Sequence, residues 1–161
     1  MADGAARVSD RLAELGITLP PVAAPVAAYV PAVKSGDLVF TSGQLPFADG
    51  VLPATGPVGD DEVTAAVSPA DATTHARTAT LNALAAVDDL VGIDSVVQIV
   101  KVVGFVASAP GFGGQPAVVN GASDLLGEIF GEAGAHARSA VGVAELPLGS
   151  PVEVELVVRV V

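Results

Sequence analysis

Arg138 is the residue of this sequence whose setting most clearly suggests chemistry. It stands at the start of a predicted strand, and Glu132 is the only acidic residue within six positions of it. An arginine in such a place either extends its charged end into solvent or binds an anion. A carboxylate suits it well, because the guanidinium group can donate two parallel hydrogen bonds. The residues alone leave both interpretations open.

Glu153 is the second candidate, and it lies in the last predicted strand. Because side chains alternate along a strand, Glu153 and Glu155 share one face with Arg159, while the other face is wholly apolar and must be core. Glu153 is then a solvated surface residue that Arg159 can pair with, unless it shares a role with Arg138. If the last two strands form a simple hairpin, Arg138 and Glu153 lie about 20 Å apart at ~3.3 Å per residue. A joint role would therefore need a second subunit.

A third candidate is the segment from Thr41 to Gln44, which ends a predicted strand. Ser42 lacks the flanking glycine pattern of a hydrolase nucleophile elbow. In one interpretation Gly43 only permits a tight bend. In the other, Ser42 and the backbone amide of Gly43 donate hydrogen bonds to a ligand.

Composition argues against several classes of function. The two histidines, His75 and His136, are far apart and there is no cysteine, so we expect no metal site, disulfide or thiolate chemistry. With 18 acidic and 7 scattered basic residues, the net charge of −11 opposes nucleic-acid binding. The most apolar stretch, Val96 to Val106, is too short to cross a membrane. The N-terminus has no signal-peptide pattern, so we expect a cytoplasmic protein.

The predicted elements that position these residues form one α+β domain. Ser68, Pro69 and Asp71 indicate a helix start, and the helix should run to about Leu90. A strand over residues 95–108, a helix opening at Pro116, and strands over 137–144 and 152–161 follow. We expect a mixed sheet with both helices on one face, whose other, apolar face contacts another subunit. Residues 1–28 form an N-terminal helix and a proline-rich lead-in, and 29–161 form the main domain.

Three blocks, Tyr29–Val33, Gly36–Pro46 and Ala137–Glu155, together resemble the RidA/YjgF family. Its members are called reactive-intermediate (imine/enamine) deaminases, and an older name is endoribonuclease L-PSP. The resemblance extends over roughly residues 28–161. The loop Ala107–Phe112 and Pro31 differ from the residues common at these places, which indicates a divergent branch.

The resemblance implies a chorismate-mutase-like fold, a homotrimer with clefts between subunits, and no cofactor. It implies hydrolysis of small 2-imino or enamine acids to 2-keto acids and ammonia. The site residues it implies are Arg138 for the substrate carboxylate, Glu153 for water, Tyr29 to close the pocket, and Ser42 with the amides of Gly43 and Ala140 as hydrogen-bond donors. The alternative is a regulatory trimer that binds a small carboxylate without turnover. Ribonuclease action would fit the older name but not the acidic charge.

Overall fold

In the computed structural model, which describes residues 7–22 and 28–161, five strands form one mixed sheet. The strands are β1 (Ala32–Ser35), β2 (Leu38–Thr41), β3 (Val96–Ala107), β4 (Ala137–Val143) and β5 (Val152–Val160). Their order across the sheet is β1-β2-β5-β3-β4. Only β3 and β4 are parallel; the other neighbours are antiparallel.

The helices are α1 (Val8–Glu14), α2 (Pro69–Val91) and α3 (Gln115–Phe130). The predicted start of α2 is confirmed, because the Ser68 hydroxyl accepts a hydrogen bond from the Asp71 amide and Pro69 occupies the first turn. Both α2 and α3 pack on the same face of the sheet, as expected. Short 3₁₀ turns occur at Ile93–Ser95, Gly131–Gly134 and Pro147–Gly149.

The last two strands do not form the simple hairpin considered from the sequence. β3 lies between them, paired in parallel with β4 and antiparallel with β5. The connection from β4 to β5 passes the end of β3, where the Ala107 amide donates to the Pro151 carbonyl. The long apolar β3 can therefore pair along both edges, which buries its backbone hydrogen-bonding groups.

The core lies between the sheet and the two long helices. A stripe of small residues lets α2 approach its neighbours closely, and all of its members are fully or almost fully buried: Ala72, Ala76, Ala79, Ala83 and Ala86. Gly121 of α3 sits so close to the Thr73 carbonyl of α2 that a Cβ there would overlap it. These small residues set the spacing between the two helices.

The N-terminal helix α1 joins the same core through Leu12, which is 5% exposed. Ser9 does not cap it, since the helix begins at Val8. Instead, the amide and hydroxyl of Ser9 both donate to the Asp94 carboxylate, each at 2.8 Å. The predicted proline-rich lead-in includes residues 23–27, which lie outside the described residues.

The second face of the sheet has no helix over it in the part of the chain that the structure describes. Val33, Phe40 and Val141 are exposed there, at 52%, 43% and 44%. The same face carries four charged residues of both signs: Lys101, Glu153, Glu155 and Arg159. None of them takes part in the three ion pairs of the described chain. None of the described helices is long and apolar enough to cross a membrane.

Candidate active site

Arg138 lies on the edge strand β4 and points toward α3 rather than into solvent. Its Nη1 donates to Asn120 Oδ1 at 2.8 Å and to Ser123 Oγ at 3.2 Å. Its Nη2 donates to the Pro116 carbonyl at 3.2 Å. Three of the five guanidinium N–H groups are thus used, and two have no partner among residues 7–22 and 28–161. Two donors are the number that a bidentate carboxylate requires.

A hydrogen-bond chain continues from Arg138 to His136. Ser123 Oγ lies 2.9 Å from His136 Nε2, and His136 Nδ1 contacts the Gly134 carbonyl. Because a carbonyl only accepts, Nδ1 carries the hydrogen in this contact and the neutral ring leaves Nε2 to accept from the Ser123 hydroxyl. The same Ser123 oxygen accepts from Arg138.

This cluster was not predicted from the sequence, although a signal for it was present there. Asn120 and Ser123 are three residues apart on a predicted helix and so share a face. His136 and Arg138 are two residues apart at the start of a strand and also share a face. What the sequence lacked was the information that this helix and this strand are neighbours.

Glu153 lies on the other face of the sheet, beside the segment that follows β2. A Cβ on residue 43 would overlap the Glu153 carboxylate, so Gly43 makes room for that carboxylate. The backbone of Gly43 is not in the left-handed region. The interpretation of Gly43 as a bend residue is therefore replaced by one of close approach. Burial, and then the nearby Glu155, raise the pKa of Glu153 above its ordinary value.

Ser42 ties the segment containing Tyr29 to the end of β2. Its hydroxyl donates to the Val30 carbonyl at 2.7 Å, and its amide donates to the Pro31 carbonyl at 2.8 Å. The hydroxyl hydrogen is thus engaged within the chain, and its oxygen lone pairs are what remain for a ligand. Tyr29, one residue before Val30, is 48% exposed.

The predicted site residues therefore form two groups. We name Tyr29, Ser42, Gly43 and Glu153 the Glu153 half-site, and Arg138 with Ala140 the Arg138 half-site. Ala140 lies two residues along β4 from Arg138, on the same face, and is partly buried. Within one chain the structure places Gly43 against Glu153 and joins Ser42 to Val30, the residue after Tyr29, but it does not bring the two half-sites together.

The strand register gives the relation between the half-sites. Glu153 pairs with Phe105, which pairs with Val141, three residues along β4 from Arg138. Two strand spacings of about 4.8 Å and three residue rises of about 3.3 Å place the Cα atoms of Arg138 and Glu153 about 14 Å apart. Arg138 is level with Leu156, whose side chain faces the helices, whereas Glu153 faces the opposite way. The two side chains diverge.

Among residues 7–22 and 28–161, no three His, Asp or Glu side chains come together in a group that could hold a metal ion.

Comparison with known proteins agrees with this architecture. The family described as "YjgF/chorismate mutase-like, putative endoribonuclease" matches residues 9–160. The chain belongs to the YjgF family. The match begins within α1 and ends at the last residue of β5, so it includes both half-sites of this YjgF protein.

Three known proteins are similar to this YjgF protein over most of its length. Protein TCP17 of Trypanosoma cruzi is 43% identical over 155 residues, which cover 95% of this chain and 94% of that protein. The crystal structure of Atu1372 from Agrobacterium tumefaciens, a protein of unknown function, is 40% identical with a TM-score of 0.85, covering 96% of this chain and 92% of that one. The structure of Escherichia coli TdcF with bound serine is 26% identical with a TM-score of 0.61, covering 88% and 93%.

Proposed function

We propose that this YjgF protein hydrolyses small 2-imino and enamine acids to 2-keto acids and ammonia, in clefts between its subunits. The observation that carries the proposal is the state of Arg138. Its guanidinium is fixed by three hydrogen bonds to α3 and keeps two donors that no described residue uses, the number that one carboxylate takes. We place this activity in the cytoplasm.

Arg138 binds the substrate through its carboxylate. Each hydrogen bond to a charged group contributes about 1.5–3 kcal/mol, so a bidentate pair can hold a small acid without a large apolar contact. This binding also sets the position of the neighbouring imine carbon. Because an imine is already electrophilic, correct placement of the substrate and one water supplies much of the rate.

Glu153 serves as the proton carrier. Its raised pKa brings it closer to neutral pH, where a general base also works as a general acid. The carboxylate takes a proton from water while the water oxygen bonds to the imine carbon and the C=N electron pair moves to nitrogen. The protonated Glu153 then returns that proton to the nitrogen, which gives a carbinolamine. Glu153 next takes the proton of the carbinolamine hydroxyl and delivers it to the same nitrogen, so the C–N bond breaks as the C=O bond forms and ammonia leaves.

A complete site requires more than one subunit, because the half-sites face opposite sides of the sheet. We propose a homotrimer in which Arg138 of one subunit lies beside the Glu153 half-site of the next. The uncovered sheet face supplies the contact surface: it exposes Val33, Phe40 and Val141 and carries charges of both signs. Apolar area of this kind is typical of homo-oligomer interfaces. Light scattering should give three times the 15.8 kDa mass of the chain.

The alternative is a regulatory trimer that binds a small carboxylate without turnover. It is favoured by the serine bound to TdcF, since serine is a small amino acid with a carboxylate. Keto-acid release separates the two functions. Stabilisation against heat by serine or a keto acid, without product formation in the coupled assay below, would favour the regulatory function.

A coupled assay tests the proposal. A pyridoxal-phosphate-dependent serine or threonine dehydratase generates the imine in solution, and keto-acid formation is followed with and without the protein. Because the imine also hydrolyses spontaneously, the informative quantity is the rate above the protein-free control. Acceleration that is proportional to the protein concentration is expected. No acceleration by folded trimer would reject the enzyme function for these substrates.

A further inference from the structure

We propose that Ser123 and His136 are positioning residues that hold Arg138 in the orientation needed to bind a carboxylate. The inference rests on the proposed function, because Arg138 is the group that they position. Neither residue belongs to the half-sites defined above, and both lie behind the guanidinium on the side of α3.

The chain of hydrogen bonds has a defined direction. Because the Gly134 carbonyl can only accept, a neutral His136 ring carries its hydrogen on Nδ1, and its Nε2 then accepts from the Ser123 hydroxyl at 2.9 Å. With its hydrogen directed to His136, the Ser123 oxygen presents lone pairs to Arg138 Nη1 at 3.2 Å. The tautomer of His136 thus decides that Ser123 acts as an acceptor toward Arg138.

The far end of this chain is anchored in rigid backbone. Gly134 is buried, and a Cβ there would overlap the Leu126 carbonyl of α3. Such a close approach leaves the Gly134 carbonyl little freedom to move. His136 is therefore oriented by an element that is itself packed on α3, the helix that carries Ser123.

The arrangement differs from that of a serine nucleophile. Ser123 lies in the middle of α3, so its backbone amide and those next to it are used within the helix rather than directed at a developing oxyanion. Its oxygen already accepts from Arg138. These hydrogen bonds restrict the rotamers of the long arginine side chain before the ligand binds, so less conformational entropy is lost on binding.

The test measures carboxylate binding by ligand-observed NMR titration of the trimer with pyruvate. Ser123→Ala and His136→Leu should each weaken the affinity for pyruvate by about three- to tenfold, the effect of one hydrogen bond. In the coupled assay both variants should raise KM with little change in kcat, because Arg138 binds the carboxylate of the substrate and of the transition state equally. The matched variants Ser123→Thr and His136→Gln retain a hydroxyl and an acceptor, and they should restore binding.

A neutral ligand separates positioning from a purely structural role. Pyruvamide has no carboxylate, so it should bind more weakly than pyruvate does. Its affinity should be the same for wild type, Ser123→Ala and His136→Leu. The positioning role is wrong if Ser123→Ala and His136→Leu lose affinity for pyruvate and for pyruvamide by the same factor. It is also wrong if folded trimers of Ser123→Thr and His136→Gln fail to regain pyruvate binding.

The failure of this inference differs from a failure of the proposed function. If Arg138→Ala loses pyruvate binding while Ser123→Ala and His136→Leu keep wild-type affinity, Arg138 binds carboxylates and the positioning role is rejected alone. If wild type and Arg138→Ala bind pyruvate equally or not at all, the proposed function itself is contradicted.

Discussion

Arg138 and Glu153 lie on opposite faces of the same sheet, one packed against α3 and the other beside Gly43 on the uncovered face. About 14 Å separates their Cα atoms, and their side chains point apart. In the proposed trimer, a single chain therefore carries two halves of the site, and their combination depends on association. Oligomer formation and catalysis should consequently be lost together.

Phe40→Asp tests the dependence of activity on association. Phe40 is 43% exposed on the uncovered face, and a carboxylate there would have to lose its hydration if subunits meet on that face. We expect monomers in light scattering and loss of keto-acid formation. Val63→Asp is the matched control, because Val63 is 91% exposed in a loop. Active Phe40→Asp monomers would show that each subunit has a complete site.

Glu153→Gln should make the protein more stable at neutral pH. Because the pKa of Glu153 is raised in the folded state, folded protein binds a proton more tightly than unfolded protein does, and stability falls as pH rises above the ordinary value of 4.5. Glutamine removes that loss. Thermal melts from pH 4 to pH 8 should show the two proteins converging at the acidic end. A variant that is less stable than wild type at pH 8 would mean that ionised Glu153 is favourably paired.

Gly43→Ala should reduce activity more than stability. The new methyl group would overlap the Glu153 carboxylate, which lies at the end of a flexible side chain and can rotate away. A changed rotamer costs about 1 kcal/mol, but the displaced carboxylate no longer meets the substrate. We expect a rate in the coupled assay reduced by about tenfold or more. Gly113→Ala, where a Cβ meets no atom within 4 Å, should keep wild-type activity.

Two glycines of α3 should respond to alanine in opposite directions. At Gly121 the Cβ would overlap the Thr73 carbonyl, which is backbone and cannot rotate away, so Gly121→Ala should destabilise the fold by about 1–3 kcal/mol. At Gly127 the Cβ meets nothing, and alanine should stabilise the helix by about 0.5–1 kcal/mol. Urea denaturation measures both. Equal effects would contradict the close contact between α2 and α3.

The elements of the fold were predictable because their signals are local. The cap at Ser68 and the alanine spacing of α2 depend only on neighbouring residues, and the structure has that helix within a residue or two of the predicted bounds. Strand order is not local. Whether the strand after Ala137 pairs with the last strand or with the apolar strand from Val96 depends on which pairing buries more backbone, and no short pattern encodes this.

The same limit applies to the site. Arg138 could be selected from the sequence because its type and its isolation from acidic residues are visible there, and Glu153 because it is an acid on the polar face of an otherwise apolar strand. The contact of Gly43 with Glu153 and the chain from His136 through Ser123 to Arg138 join residues that are far apart in sequence. His136, Ser123 and Arg138 come together only because α3 packs beside the edge strand of the sheet.

The rate of keto-acid formation by Arg138→Ala decides whether Arg138 is the group that binds the substrate. In the dehydratase-coupled assay, the acceleration seen with wild type should disappear in Arg138→Ala, while Arg77→Ala, which removes an arginine paired with Glu128 on the helical surface, should keep it. We predict that only Arg138→Ala loses the acceleration, while light scattering shows that both variants remain trimers. Full acceleration by a folded Arg138→Ala trimer would show that Arg138 is not needed for the reaction.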